Sequence, residues 1–207
     1  MLRNNLGMAG KRATPQDRLV EAVLALAAER PWAQIALTDI AAKAGLGLAE
    51  LHRVAPSKAH LLRLWLQQID AAVLAGPAPE MTEPARDRLF DVLMRRFDAL
   101  KAQKPAVASI LDGLSKDPVQ ALCGWPGLLR SMSWMLEAAG IDASGLKGAL
   151  RARGLALVWL AGLRTFLTDE SDDMSQTMAA LDKALKRAEP FGRALDGQVR
   201  VAPQNAG

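Results

Sequence analysis

The side chains best placed to do chemistry in this chain cluster in one short stretch, LGLAELHRVAPSK, at residues 46–58. A helix over Leu48–Val54, anchored inward by Leu51, turns Gly47, Leu48, Glu50, His52 and Arg53 outward. These side chains recognise rather than react. Arginine and histidine donate to phosphates or base edges, and a glutamate can accept from a cytosine amine. Thr38, Arg18 and Lys58 stand on flanking helices, and Arg12 lies in a basic N-terminal arm with Arg3 and Lys11. Together they make a candidate nucleic-acid face: Arg53, His52 and Lys58 in main contact, Arg12 and Arg18 on neighbouring phosphates. A solvated basic face and an unstructured arm are the plain alternatives.

Catalysis has no comparable grouping. No glycine-rich phosphate loop is present, and no serine is paired with a histidine base in a recognisable pattern. His52 and His60 fall on different helices with Cys123 far off in sequence, so no zinc set is expected. The acidic run at residues 169–173 lacks the glycine and terminal glutamate of a calcium loop, and reads as helix capping. The expectation is a binding protein without catalytic residues, metal or cofactor. The single cysteine, Cys123, excludes an intrachain disulfide and is expected as a buried free thiol.

A second candidate site is apolar. Phe97, Met132, Trp134, Leu136, Trp159 and Phe166 occupy helical stripes that converge from several helices. Plain core is the ordinary use of any one such residue. A bundle can also keep a cavity between its helices, and this one would hold a hydrophobic small molecule beneath Trp134 and Trp159.

The elements that position these groups follow from caps and breakers. Thr14-Pro15-Gln16-Asp17 starts a helix running to Glu29. Thr38 is expected to cap a short helix that Gly45 ends, and the short helix over Leu48–Val54 follows. Two short helices joined by a glycine-bearing turn read as a helix-turn-helix. Pro56 stops the second, and Ser57 caps a long third helix striped by Leu61, Leu62, Trp65, Ile69 and Val73. GPAPEMTEP, residues 76–84, is a linker. Beyond it the chain is expected to restart at Lys104-Pro105, at Asp117-Pro118 and again at Trp125-Pro126. Residues 144–167 form the most apolar helix, and its all-round apolar surface at 154–163 predicts a homodimer through 144–167 and a last helix at 172–188. The expected organisation is a basic arm over 1–13, a helix-turn-helix unit with its connecting helix over 14–75, the linker, a ligand-binding and dimerisation unit over 85–189, and a disordered tail over 190–207.

Composition agrees with an all-α fold. Half of the 207 residues are apolar, tyrosine is absent, and alanine and leucine dominate. The net charge of +4 is concentrated at the N-terminal end, where residues 1–75 hold nine Lys/Arg against six Asp/Glu. No apolar run is long enough to span a bilayer, and the N-terminus lacks the apolar core of a signal peptide, so a cytoplasmic protein is expected.

TDIAAKAG at 38–45, Leu51, and PSK followed by Leu61-Leu62 resemble the tetracycline-repressor (TetR) family of transcriptional regulators. The resemblance implies a dimeric, DNA-binding, ligand-responsive helical protein, with Lys58 at the family's phosphate-facing lysine. Members commonly carry threonine where Glu50 stands and tyrosine where His52 stands. The segment with Leu167, Asp169, Ser171, Thr177 and Leu181-Asp182 is similar to coenzyme-Q-biosynthesis accessory proteins of the same fold. Those bind lipid and act on ubiquinone precursors through a partner hydroxylase. That second resemblance implies an alternative role, a quinone-like-lipid-binding accessory protein with a vestigial helix-turn-helix.

Overall fold

The structure is a computed structural model and describes residues 13–197. Among these it is all-helical: α1 (Pro15–Glu29), a 3₁₀ turn (Trp32–Gln34), α2 (Leu37–Lys43), α3 (Leu48–Val54), α4 (Lys58–Leu74), α5 (Ala85–Lys101), α6 (Lys104–Lys116), α7 (Pro118–Ala138), α8 (Gly145–Thr168) and α9 (Ser175–Gly197). The arm at residues 1–12, including Arg12, and the tail beyond 197 lie outside the described residues.

Local chemistry accounts for most boundaries. The Thr14 hydroxyl accepts from the Asp17 N–H at 3.1 Å while Asp17 accepts from the Thr14 N–H at 3.0 Å, a reciprocal cap. Gly45 leaves α2 with φ +64°, a conformation that costs a Cβ-bearing residue energy. Ser57 accepts from the His60 N–H and starts α4. Thr38, expected to cap α2, is instead exposed inside its first turn. The cap is Ala36, and because alanine offers no acceptor the reciprocal half carries the end: Asp39 Oδ2 accepts from the Ala36 N–H at 2.9 Å.

Four expectations at the C-terminal side are corrected. Trp125-Pro126 does not restart the chain, since α7 runs through Pro126 as one helix. A proline deletes one backbone donor, and the packing of Ser131, Met132, Met135 and Leu136 on the same helix outweighs that loss. The last helix starts at Ser175 rather than 172, because residues 169–173 are occupied with capping. It then continues through Pro190 to Gly197, where a disordered tail was expected; Leu195 is buried there, giving those residues something to pack for. Cys123 lies exposed on α7, not buried.

One hydrophobic core runs the length of the molecule. Its N-terminal end is Leu19, Val23, Trp32, Ile40, Leu51 and Leu61, the face that fixes α2 and α3 beneath α1. Its C-terminal end packs α5, α7, α8 and α9 around Phe97, which stacks on Trp159 at 4.4 Å between centroids and meets Phe166 at 5.1 Å. Residues 76–84 form the expected non-helical connection, held down where Arg95 donates to the Pro77 carbonyl at 3.0 Å.

Two helices join these ends. α4 begins directly after α3 and runs into the C-terminal bundle, burying Leu62, Trp65, Ile69 and Val73 on the way. α6 packs back onto α1 and the 3₁₀ turn. The Ser109 hydroxyl accepts from the Trp32 N–H at 3.0 Å and donates to the Arg30 carbonyl at 3.1 Å. At Gly113 a Cβ would stand 2.8 Å from Trp32, so glycine is what lets the indole lie against α6.

Candidate nucleic-acid interface and ligand cavity

α3 is fastened by Leu51 and Ala55, both buried, and this orientation turns Gly47, Leu48, Ala49, His52 and Arg53 to solvent, with Glu50 half-buried in the first turn. Of the outward set named from the sequence, Gly47, Leu48, His52 and Arg53 are exposed together on or beside this short helix, whereas Glu50 is half-buried. Thr38 is exposed on α2 nearby in the chain. His52 and Arg53 are the groups on this helix with N–H donors to offer to phosphates or bases.

Two of the expected phosphate contacts have intramolecular work. Arg18 Nη1 donates to the Ala44 carbonyl at 3.3 Å, closing the last carbonyls of α2 beside the Gly45 turn. Lys58 Nζ donates to the Trp32 carbonyl at 2.8 Å and lies 4.4 Å above the Trp32 ring, a cation–π contact. Burial holds the Lys58 ammonium below the usual lysine range, with Asp117 and Asp39 opposing that shift. Lys58 thus clamps α4 to the 3₁₀ turn and orients the N-terminus of α4 behind α3.

The apolar site differs from its expected lining. A cavity of about 620 Å³ opens between α4, α5, α6, α7 and α8, a size that suits a drug-sized ligand. Trp65, Ile110, Leu128, Trp159 and Leu163 are among its walls. Of the six residues expected there, Trp159 alone lines it. Phe97, Met132, Leu136 and Phe166 are buried in solid core behind it, and Trp134 is 50% exposed on the outside of α7. The stripes were right in pointing four of these side chains inward, but stripe position does not separate a packed layer from a wall left open beside it. Trp134 sits two residues from Met132, on the opposite side of a 3.6-residue turn.

Sequence reasoning also missed a buried ionic group at the cavity wall. Arg96 on α5 is 0% exposed and lines the cavity. Its Nη1 donates to Asp70 Oδ1 at 2.5 Å, and the Ser131 hydroxyl donates to the same oxygen at 2.5 Å. The Arg96 guanidinium lies 5.0 Å from the Trp159 ring centroid. Burial pushes its pKa down and the Asp70 carboxylate pushes it back up. Asp70, Ser131 and Trp134 line a separate, smaller cleft of about 170 Å³. A signal was present in the sequence: Arg96 interrupts the stripe Leu89, Leu93, Phe97, Leu100, where an arginine has no reason to face the core unless something pairs it.

The acidic turn is resolved as capping. Asp169 Oδ2 accepts from the Thr177 N–H and hydroxyl, both at 2.7 Å, and Oδ1 accepts from the Ser171 N–H at 3.0 Å and from its hydroxyl. These bonds, the Ser171 hydroxyl foremost, hold the Asp169 carboxyl well below the usual carboxylate range. The spacing Asp169-x-Ser171 followed by Thr177 is thereby explained as the knot that starts α9. No grouping of metal-ligating side chains occurs among the described residues, and none of their helices is long and apolar enough to cross a membrane.

The described residues form a three-helix head with a helix-turn-helix, joined by the long α4 to a helical bundle with a cavity opening between its helices. Among solved structures the chain superposes on the TetR transcriptional regulator from Nitrosomonas europaea ATCC 19718 with a TM-score of 0.65, at 22% identity over 85% of this chain and 98% of that one. It superposes on a TetR transcriptional regulator from Rhodococcus sp. RHA1 with a TM-score of 0.64, at 23% identity over 84% of this chain and 94% of that one. The fold is therefore the TetR fold. No protein-family model and no curated protein matches the sequence.

Proposed function

We propose that this protein is a TetR-like, DNA-binding transcriptional regulator that responds to a hydrophobic ligand held in the cavity. The observation that carries this is the sharing of two helices between the two candidate sites. α4 starts three residues after α3 and supplies Leu62, Trp65 and Leu66 to the cavity. α6 supplies Ile110 and Leu111 to the cavity while Ser109 grips the Trp32 and Arg30 backbone of the head. A ligand that favours one packing of α4 and α6 over another biases the spacing of the DNA-binding heads by its differential affinity for the two.

The protein acts as a homodimer through α8 and α9. Leu146 and Leu157 on α8 are 76% and 65% exposed, and Phe191 on α9 is 47% exposed against Gly154. Residues 14–75 are the DNA-facing unit and residues 85–189 the ligand and dimer unit. His52 and Arg53 make the leading contacts, with Gly47 and Thr38 at close approach and Arg12, Arg18 and Lys58 adding positive potential.

The test is a mobility shift of a genomic-fragment pool at low salt, with wild type and Glu50→Thr. Wild type shifts a subset of fragments, and Glu50→Thr strengthens non-specific binding because it removes a negative charge from the helix that approaches the phosphates. Neutralising one phosphate-facing cation lowers the salt slope by about 0.9. If neither protein shifts any fragment, the DNA reading fails. The accessory role in lipid binding, favoured by the apolar Leu48 and Ala49 on the outward side of α3, then stands, and quinone-like lipid extracted from the purified protein is its signature.

A further inference from the structure

We propose that the cavity ligand is an amphipathic carboxylate, its anionic group seated on Arg96 and its body along the apolar walls. This deepens the reading of the cavity as a ligand site and does not depend on the DNA reading. Arg96 is an unusual residue to line an apolar cavity. Its side chain is 1% exposed, and a guanidinium stays charged at any physiological pH, so its donors must be met inside the protein.

The donors are met on one edge only. The hydrogen bonds that Arg96 makes leave from Nη1, to Asp70 Oδ1 at 2.5 Å and to Met135 Sδ at 3.7 Å. Nε is buried and has no hydrogen-bond partner among the described residues. A guanidinium has a second edge, Nε with Nη2, whose parallel N–H groups match the two oxygens of a carboxylate. Asp70 cannot serve that edge from where it is held. Its Oδ1 already takes both Nη1 and the Ser131 hydroxyl, on the side away from the large cavity and toward the small cleft.

The rest of the lining fits a chain or ring body. Leu62, Trp65, Leu128, Leu163 and Leu167 are apolar, and the charged side chains besides Arg96 are Asp112 and Arg164, both exposed. A neutral hydrogen-bond acceptor would satisfy Nε but leave half of the fork unused. The cation–π contact with Trp159 holds the guanidinium plane in place, so little ordering is left for the ligand to impose.

Dodecanoate, methyl dodecanoate and 1-dodecanol test this, titrated calorimetrically into the full chain below their aggregation concentrations and without DNA. The three share one tail and differ in the head. Dodecanoate is expected to bind at least roughly tenfold more tightly than either neutral compound. Asp70→Asn combined with Arg96→Met removes both buried charges together and should bring the ratio to within roughly threefold. In wild type the ¹⁵N resonance of Arg96 Nε should move on adding dodecanoate and stay on adding the ester, a readout that needs no variant to fold. Equal or tighter binding of the ester, or an unmoved Nε resonance at saturation, overturns the carboxylate while leaving the cavity as a ligand site. Binding of none of the three overturns both. A preference abolished by Arg164→Gln but kept by the double variant places the anion at the rim and overturns the role of Arg96.

Discussion

Asp70→Asn isolates the electrostatic term at the cavity wall. The substitution keeps the shape of the side chain and leaves an oxygen able to accept from Ser131, so what is lost is the charge opposite Arg96. Both partners are out of solvent, Arg96 at 0% and Asp70 at 7% exposure. Breaking a buried pair on one side typically costs about 3–5 kcal/mol, because a charge is left in a poorly polarisable surround. The asparagine oxygen can still accept from Arg96 and Ser131, which sets the expected loss at the low end, about 3 kcal/mol. Urea unfolding followed by helical circular dichroism, at fixed protein concentration, should show the midpoint falling by about 1 M or more for a slope near 2–3 kcal/mol/M. Adding Arg96→Met should recover most of the loss, with a coupling energy of about 2 kcal/mol in the double-mutant cycle. A loss below about 1 kcal/mol, or a double variant no better than the sum of the singles, would refute the view that Arg96 depends on Asp70.

Gly45→Ala should cost about 1–2 kcal/mol for its φ of +64°, with the nearest atom, Arg18 Nη1, far enough at 3.9 Å that sterics add nothing; Gly47→Ala, in extended backbone with nothing within 4 Å, should be near neutral, and matched thermal melts of the two check the conformational origin. Asp169→Asn should lower stability at neutral pH. Since the folded carboxyl titrates below its unfolded value, its contribution is complete above about pH 4 and is lost as pH falls through the folded value, so the wild-type advantage should shrink in acid unfolding below about pH 4. Leu157→Lys, at a site 65% exposed, should leave the helical signal intact and convert a dimer to a monomer in light scattering; a wild type that is already monomeric ends the dimer proposal. Gly162 is unsuited to that test, because a Cβ there would meet Phe97 at 3.1 Å inside the same chain.

What the sequence settled by itself was local and periodic. Thr14 with Asp17, Gly45, Ser57 and the long stripes specify where most helices begin and which side they bury, because a cap or an αL glycine acts within four residues and a stripe repeats every turn. The helix-turn-helix and most of the outward face of α3 were legible for the same reason, since a buried Leu51 one turn before the buried Ala55 orients the short helix. Tertiary packing decided the rest. A proline was tolerated in α7 because its neighbours had partners to bury against, and α9 outran its expected end because Leu195 found the core. The identity of the cavity lining was out of reach of periodicity, as a side chain turned inward meets either another side chain or open space according to helices far away in sequence. The Arg96–Asp70–Ser131 cluster joins α5, α4 and α7, groups 26 and 61 residues apart, and only their approach in space turns a misplaced arginine into a paired cation with one edge left to offer.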